Sequence, residues 1–220
     1  YFEENWTHYS ALADIDLGIG RLISSTSYLD RTILEIDDDG ESFSRGFDLY
    51  DGEEALEFFA GNISKDINVK KITNADEMMS TIQKLLPVDI AVCAAAVSDF
   101  KPKNKSKQKI KKDNPNSYFL NLEKNNDILE YLGKSNKLRP KLVVGFSAET
   151  ENLVENSVNK LNQKYCDIIV ANDVSPQTGI MGGTENAVTL ISDSGAESWP
   201  RMSKDAVAAQ LADRIAKALA

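Results

Sequence analysis

Hydrophobic and polar positions fall into two patterns along most of the chain: short apolar runs, and stretches in which apolar residues recur three or four positions apart. Residues 88–96, 141–147 and 167–171 are almost continuously apolar, which is typical of strands buried on both faces of a parallel sheet. The stretches between them have helical spacing. Strands that alternate with helices in this way predict a doubly wound α/β fold.

Further elements are predicted around these runs. Strands are expected at residues 67–72, 118–122 and 187–191, and helices at residues 74–87, from residue 126, at about 150–163 and from residue 203 to the end. Asn74 with Glu77 three residues later forms a capping-box pattern. Ligands of such sheets bind beyond the carboxyl ends of the strands, which are here residues 96–99, 147–149 and 172–175.

Residues 1–65 have a different pattern, and we expect an atypical N-terminal segment on an α/β domain of residues 66–220. Residues 31–36 and 42–48 are predicted to pair around an acidic turn in which Asp39-Gly40 is the turn signal. This turn does not fit a calcium loop, because the twelfth position from Glu35 is Gly46 where a glutamate is needed. A short helix is expected at residues 51–59.

Charge and composition narrow the function classes. The net charge of −9 argues against a nucleic-acid partner, because binding to a phosphate backbone needs a broadly positive surface. No apolar run approaches the roughly 20 residues of a membrane span. The two cysteines, Cys93 and Cys166, lie in apolar runs, as expected for reduced, buried thiols of a cytoplasmic protein.

Two stretches have residue types suited to a nucleotide. The small residues 94–96 at a strand end would let a base or a sugar approach the backbone, and Asp99 would then accept hydrogen bonds from a ribose. Residues 101–112 contain seven lysines, which would suit a triphosphate. The structural alternatives are helix packing and turn capping for the first stretch and a solvated loop for the second.

A third stretch, residues 145–150, leads from a strand into a helix. Phe146 would be able to stack on a base, and Lys160 and Lys164 are one turn apart on one face of the helix. The alternative is an ordinary strand-to-helix turn with surface lysines.

The order of short motifs in residues 66–220 resembles that of bacterial phosphopantothenoylcysteine synthetase. The motifs are Ala-Ala-Val-Ser-Asp-Phe, Lys-Ile-Lys-Lys, Asn-Asp-Ile, Gly-Phe-Ser-Ala-Glu-Thr, Lys-Leu-x-x-Lys and Ala-Asn-Asp-Val-Ser. Each motif alone is weak, but six in order at matching separations are hard to obtain by chance.

The resemblance implies a Rossmann-like fold, a doubly wound and mostly parallel sheet with helices on both faces. It also implies a ligase of coenzyme A biosynthesis that joins cysteine to 4′-phosphopantothenate. Bacterial members of that family use CTP and Mg²⁺ to form an acyl-cytidylate, and they are commonly homodimers. The implied nucleotide site consists of Cys93, Ala94, Ala95, Asp99, Lys109, Asn126, Asp127, Ile128, Leu129, Phe146, Lys160 and Lys164. No residue is assigned as catalytic or as a metal ligand.

Residues 1–65 depart from the family pattern, which has a Gly-Pro-Thr turn and a Ser-Asn-x-Ser-Ser-Gly loop. Here Gly18-Ile19-Gly20 lacks a third glycine, and Ser24-Ser25 precedes Thr26. The alternative function is therefore a catalytically inactive nucleotide-binding protein of the same fold. A nicotinamide-dependent oxidoreductase is disfavoured, because no Gly-x-Gly-x-x-Gly follows a strand.

Overall fold

The computed structural model describes residues 2–16, 21–36, 42–44, 68–104, 119–180 and 184–219. Its strands are β1 (Phe2–Asp16), β2 (Arg21–Ile36), β3 (Ser42–Ser44), β4 (Asn68–Ile72), β5 (Ile90–Cys93), β6 (Phe100–Pro102), β7 (Leu122–Lys124), β8 (Leu142–Glu149), β9 (Ile168–Asp173), β10 (Glu185–Asn186), β11 (Val188–Ser192), β12 (Gly195–Ser198) and β13 (Met202–Ser203). Its helices are α1 (Ala75–Leu85), α2 (Ile128–Lys134), α3 (Leu153–Lys164) and α4 (Lys204–Leu219).

Nine of the described strands form one sheet in the order β12-β11-β9-β8-β5-β2-β1-β4, with β3 paired to β2. The four central strands β2, β5, β8 and β9 are parallel. Antiparallel strands flank them on both sides. The predicted Rossmann-like α/β fold is therefore confirmed, and the antiparallel strands at both edges are a feature that the apolar pattern did not predict.

Helices cover both faces of this sheet. One buried cluster joins α1, α2 and α3 to the sheet through residues such as Ile82, Leu132 and Leu161. The other joins α4 to the opposite face through Val207, Leu211 and Ile215. Adjacent residues of a central strand enter opposite clusters, as the two-residue repeat of a strand requires, which explains why these strands are continuously apolar. None of the helices in the described ranges is long and apolar enough to cross a membrane.

The described part of the N-terminal segment is hydrogen-bonded into the same sheet. β1 and β2 form a long antiparallel pair, β2 lies beside β5, and β1 lies beside β4. The predicted hairpin is present where residues 34–36 of β2 pair with β3. Its turn and the helix predicted at residues 51–59 lie outside the described residues, and the domain division at residue 65 stays a prediction.

Several local predictions need correction in detail. Asn74 caps α1 as predicted, because its Oδ1 accepts from the Glu77 N–H at 2.9 Å. However, the Glu77 carboxylate accepts from the Thr73 N–H at 2.8 Å instead of bonding Asn74. The strand predicted at residues 118–122 instead forms at β7, where β6 provides its pairing partner. The helix predicted from residue 126 begins at Ile128, because Asp127 is its cap.

Candidate functional site

A cavity of about 180 Å³ opens where the carboxyl end of β5 and Phe146 of β8 meet the N-terminus of α2. Ten of the twelve residues implied by the resemblance line it: Cys93, Ala95, Asp99, Asn126, Asp127, Ile128, Leu129, Phe146, Lys160 and Lys164. Ala94 is exposed and does not line the cavity, and Lys109 lies outside the described residues. The structure therefore brings together side chains from four separate sequence motifs.

The other two predicted strand ends do not line this cavity. Ser147 is buried and its hydroxyl lies 2.7 Å from that of Ser157 in α3. The Asn172 side chain donates to the Ser147 carbonyl at 3.0 Å and accepts from Asn186 of β10 at 2.7 Å. Their polar groups are thus already bonded to neighbouring elements, and α3 and β10 cover the ends of β8 and β9.

The floor of the cavity is formed by neighbouring parallel strands. Ser25, Cys93 and Gly145 lie side by side on β2, β5 and β8, and the Ala94 N–H donates to the Ser25 carbonyl at 3.0 Å. Burial raises the pKa of Cys93 to about 12, so its thiol is neutral at physiological pH. A Cβ on Gly145 would lie 2.6 Å from Leu129 Cδ2, so the Leu129 side chain of α2 packs closely against the backbone of β8.

Charged groups at the α2 side of the cavity are paired with one another. Asp127 Oδ1 accepts from the Glu130 N–H at 2.8 Å, and Lys164 Nζ lies 2.6 Å from Asp127 Oδ2 and 3.5 Å from Glu130 Oε2. Lys134 forms a further ion pair with Glu130. We call Asp127, Glu130, Lys134 and Lys164 the paired cluster.

The protonation states of the central pair follow from these contacts. Burial acts to raise the pKa of Asp127, but the hydrogen bonds from Lys164 and from the Glu130 N–H outweigh it and leave the pKa below its usual value. The hydrogen bond to Asp127 raises the pKa of Lys164. Both groups are therefore charged at neutral pH and largely neutralise each other.

The backbone of α2 touches the end of α3 beside the paired cluster. A Cβ on Gly133 would lie 2.0 Å from the Lys164 carbonyl oxygen, a distance at which one backbone would have to move. This contact fixes the end of α3 against the C-terminal turn of α2.

Hydrogen bonds also fix the loop that carries Asp99. The Asn125 N–H donates to the Asp99 carbonyl at 2.8 Å, and Asn125 Nδ2 donates to the Ser98 carbonyl at 2.7 Å. The Ser98 hydroxyl donates to the Phe100 carbonyl at 2.8 Å. The Asp99 side chain is exposed at the edge of a loop whose backbone is held in place.

Two lysines of the cavity differ from Lys164. Lys124 and Lys160 line the cavity, and no carboxylate of the described residues forms an ion pair with either. Lys101, the first lysine of the lysine-rich loop, is instead held by Asp76 at 2.6 Å. Among the described lysines of the cavity, Lys124 and Lys160 are therefore the two whose ammonium groups are not held in a salt bridge.

Six further residues line the cavity that the sequence reasoning did not assign. They are Ser25, Met78, Val97, Ser98, Lys124 and Asn125. Val97 and Ser98 lie within the motif that contains Asp99 and could have been assigned from it. Lys124 and Asn125 directly precede the Asn-Asp-Ile motif, so extending that motif by two residues would have found them. Ser25 and Met78 come from distant elements and have no local signal.

This arrangement suits a nucleotide. Small residues at the end of β5 and the Phe146 ring provide surfaces for a base, and two ammonium groups are available for phosphates. Among the described residues, no group of three or more His, Cys, Asp or Glu side chains could hold a metal ion.

Residues 57–219 match the family described as DNA/pantothenate metabolism flavoprotein C-terminal domain, and the chain belongs to this family. It is 36% identical over 152 residues to the coenzyme A biosynthesis bifunctional protein CoaBC of Borreliella burgdorferi, covering 68% of this chain and 38% of that protein. It is 35% identical over 154 residues to a cysteine/cysteine sulfinic acid decarboxylase from an unknown prokaryotic organism, covering 69% of this chain and 42% of that protein. The chain therefore spans less than half the length of either relative.

Among solved structures, the C-terminal domain of a CoaBC protein is similar to this chain. Its TM-score is 0.50 at 29% identity, over 66% of this chain and 62% of that one.

Proposed function

We propose that the chain is a phosphopantothenate–cysteine ligase of coenzyme A biosynthesis that uses CTP. The observation that carries this proposal is that ten of the residues implied by the resemblance line one cavity, although they come from separate motifs. The name of the Borreliella burgdorferi relative places that protein in coenzyme A biosynthesis. This chain matches less than half of each relative. The name of the second relative, a decarboxylase, describes that whole protein and does not by itself assign a decarboxylase activity to the matched part.

In this proposal the base lies against residues 93–95 and Phe146, and the ribose lies near Asp99. The triphosphate points toward Lys124 and Lys160, because neither lysine forms a salt bridge with a carboxylate of the described residues. Lys109, which the resemblance also implies for the phosphates, belongs to the lysine-rich loop outside the described residues. Lys164 is neutralised by Asp127, so we assign it to positioning the N-terminus of α2.

The proposed reaction has two steps. The carboxylate of 4′-phosphopantothenate attacks the α-phosphate of CTP, and the bond to pyrophosphate breaks to leave an acyl-cytidylate. The cysteine amine then attacks the acyl carbon and loses a proton as CMP leaves. Lysine ammonium groups stabilise the charge that develops on pyrophosphate in the first step, with Mg²⁺ sharing that charge. The second step depends mainly on positioning.

The decisive measurement is pyrophosphate release from CTP and Mg²⁺ by the whole chain, with and without 4′-phosphopantothenate and cysteine. Release that requires phosphopantothenate, followed by amide formation when cysteine is added, is the expected result. Pyrophosphate release at the same rate with and without 4′-phosphopantothenate would contradict the proposal.

A second candidate is a nucleotide-binding protein of the same fold without catalysis. It is favoured by residues 1–65, which lack the family's Ser-Asn-x-Ser-Ser-Gly loop. Tight CTP binding with no pyrophosphate release in the same assay would support this candidate and exclude the ligase.

A homodimer, which the resemblance implies, and a cytoplasmic location, which the two cysteines in apolar runs predict, belong to the proposal. Light scattering on a size-exclusion column tests the first, since a dimer has twice the mass of the chain, 24.3 kDa. A monomer that is active in the pyrophosphate assay would show that dimerisation is not required.

A further inference from the structure

A second cavity adjoins the one described above. Its volume is about 200 Å³, and four residues line both cavities: Met78, Val97, Ser98 and Asn125. A ligand in the second cavity would therefore lie beside a nucleotide in the first. A ligase needs such a neighbouring position, because a second reactant must reach the acyl group that the nucleotide activates.

The charged groups of the second cavity are one carboxylate and one ammonium group. Lys101 Nζ donates to both carboxylate oxygens of Asp76, at 2.8 and 2.6 Å, and both residues line the cavity. The Asp76 side chain is 49% exposed and the Lys101 side chain 24%. Both side chains therefore retain surface that a ligand can contact.

This ion pair keeps bonding capacity for a ligand. A carboxylate has about four lone-pair sites and an ammonium group has three donors, so the two contacts to Asp76 leave at least one N–H of Lys101 for another acceptor. Glu123 lies 3.8 Å from Lys101 Nζ, which is too long for a hydrogen bond. A ligand can therefore add bonds to the pair without breaking it.

The neighbouring polar side chains are already bonded to one another. The Thr73 hydroxyl donates to the Glu77 carboxylate at 2.7 Å and accepts from Asn74 Nδ2 at 3.1 Å. Asn74 Oδ1 accepts from the Glu77 N–H. These bonds hold the wall of the cavity in place, and they leave the Asp76–Lys101 pair as the charged element that a ligand meets.

Much of the remaining lining is apolar. It is formed by Ala75, Met78, Val97, Phe100 and Pro102. Phe100 is 56% exposed, so its ring offers surface that a ligand would cover. Sulfur packs favourably against aromatic rings, and an apolar wall accepts a thiol at less cost than a hydroxyl group without a partner.

The charges around the second cavity favour a zwitterion over a polyanion. Two carboxylates, Asp76 and Glu123, lie near the single ammonium group of Lys101. This excess of negative charge disfavours the phosphate and carboxylate groups of 4′-phosphopantothenate. A free amino acid has no net charge, and its ammonium and carboxylate groups complement the ion pair.

We propose that the second cavity is the subsite for the amino acid substrate, cysteine. The ammonium group of cysteine bonds Asp76, its carboxylate bonds Lys101, and its thiol lies against Phe100. This inference rests on the proposed ligase function. Asp76 accepts a hydrogen bond from the amino group whether or not that group is protonated, so the same contact holds the free amine that attacks the acyl carbon.

The test compares cysteine with cysteamine, which lacks the carboxylate, in amide formation by the whole chain at saturating CTP, Mg²⁺ and 4′-phosphopantothenate. We expect wild-type protein to have a kcat/KM for cysteine about tenfold higher than for cysteamine. Lys101→Gln should lose this preference, whereas Lys101→Arg, which keeps the positive charge, should retain most of it. Asp76→Asn should raise the KM for both amines about tenfold, because both have an amino group.

Pyrophosphate release in the absence of cysteine separates substrate binding from a structural role. This first half of the reaction does not involve the amino acid, so the variants should release pyrophosphate at the wild-type rate. Lys141→Gln is the matched control. It removes the partner that Asp89 has at 2.9 Å, it lines neither cavity, and it should change neither measurement.

The outcomes distinguish this subsite from the proposed function. The subsite alone would be overturned by wild-type protein without a preference for cysteine over cysteamine. It would also be overturned by Asp76→Asn and Lys101→Gln variants that keep the wild-type KM and preference, or that lose both halves of the reaction equally. Wild-type protein that forms no amide from CTP, 4′-phosphopantothenate and cysteine would overturn the subsite and the proposed ligase together.

Discussion

Two groups of polar residues lie around one cavity, and they differ in whether their bonds are already made. In the paired cluster, each charged side chain has an opposite charge beside it. Lys124 and Lys160, which we call the open set, form no salt bridge with a carboxylate of the described residues. Groups that are already paired must break bonds to bind anything, whereas unpaired groups gain bonds when a ligand arrives. We therefore expect changes in the paired cluster to affect stability and changes in the open set to affect binding.

The largest expected effect on stability comes from adding a side chain at the close contact between α2 and α3, beside the paired cluster. Gly133→Ala would place a Cβ 2.0 Å from the Lys164 carbonyl oxygen, and we expect a loss of about 3 kcal/mol in the free energy of unfolding. Urea denaturation measures this loss. Gly179→Ala is the control, because its Cβ would meet nothing within 4 Å and only its positive φ of 63° costs about 1 kcal/mol. Equal losses in the two variants would disprove the close contact between α2 and α3.

A binding effect is expected next, in the open set. Lys160→Gln should weaken CTP binding about tenfold and CMP binding less, because the lysine is proposed to contact phosphates beyond the first. Titration calorimetry with CMP, CDP and CTP measures the trend. Lys84→Gln, at the end of α1 and away from the cavity, should change nothing. An equal loss for CMP and CTP would place Lys160 away from the outer phosphates.

Removing the cation of the paired cluster should have a smaller effect, on stability. Lys164→Gln should cost about 1 kcal/mol, because the ion pair with Asp127 is partly exposed. The pKa of Asp127 is lowered in the folded state from 3.8, so this stabilisation is complete above pH 3.8 and is lost as the pH falls through the folded-state value. Denaturant titrations should therefore show a constant difference between pH 5 and 8 that shrinks below pH 3.8. A difference that grows in acid would contradict the pairing.

The smallest effect is expected for Lys124, which is exposed to solvent. Lys124→Gln should weaken CTP binding roughly threefold at low ionic strength and hardly at all in 0.5 M salt, because salt screens exposed charges. Titrations at the two salt concentrations measure this. A loss that is independent of salt would mean that Lys124 contributes packing rather than charge.

The sequence allowed prediction of the parts of the fold that are buried or capped. The central strands β5, β8 and β9 lie between helices on both faces, so their residues must be apolar and the run is visible in the chain. The caps of α1 and α4 were also predictable, because Asn74 and Ser203 bond the N–H groups three residues ahead. Most of the cavity lining followed from the family motifs.

Other features depend on geometry that no local pattern contains. β6, β7, β10, β12 and β13 are only two to four residues long and mostly exposed, so they have no alternation to detect. Ser25 reaches the cavity because β2 lies next to β5, a neighbour relation that the order of strands in the chain does not predict. Asn125 Oδ1 has no partner because no donor group of the described residues lies within hydrogen-bond distance of it. This depends on the folded arrangement of several elements and cannot be predicted from the local sequence.

The order of strands in the sheet has a consequence for how the chain folds. β8 and β9 are neighbours both in the sheet and along the chain, as are β11 and β12, and only the short β10 separates β9 from β11 in the chain. The Val143 N–H bonds the Asp167 carboxylate across 24 residues. The junction of β2 with β5 joins residues much further apart, since the Arg21 N–H bonds Asp89 across 68 residues. Closing the longer loop costs about 1 kcal/mol more in chain entropy. Residues 142–198 should accordingly become protected first when pulsed hydrogen exchange follows refolding, and β1 and β2 should join a sheet that has already formed.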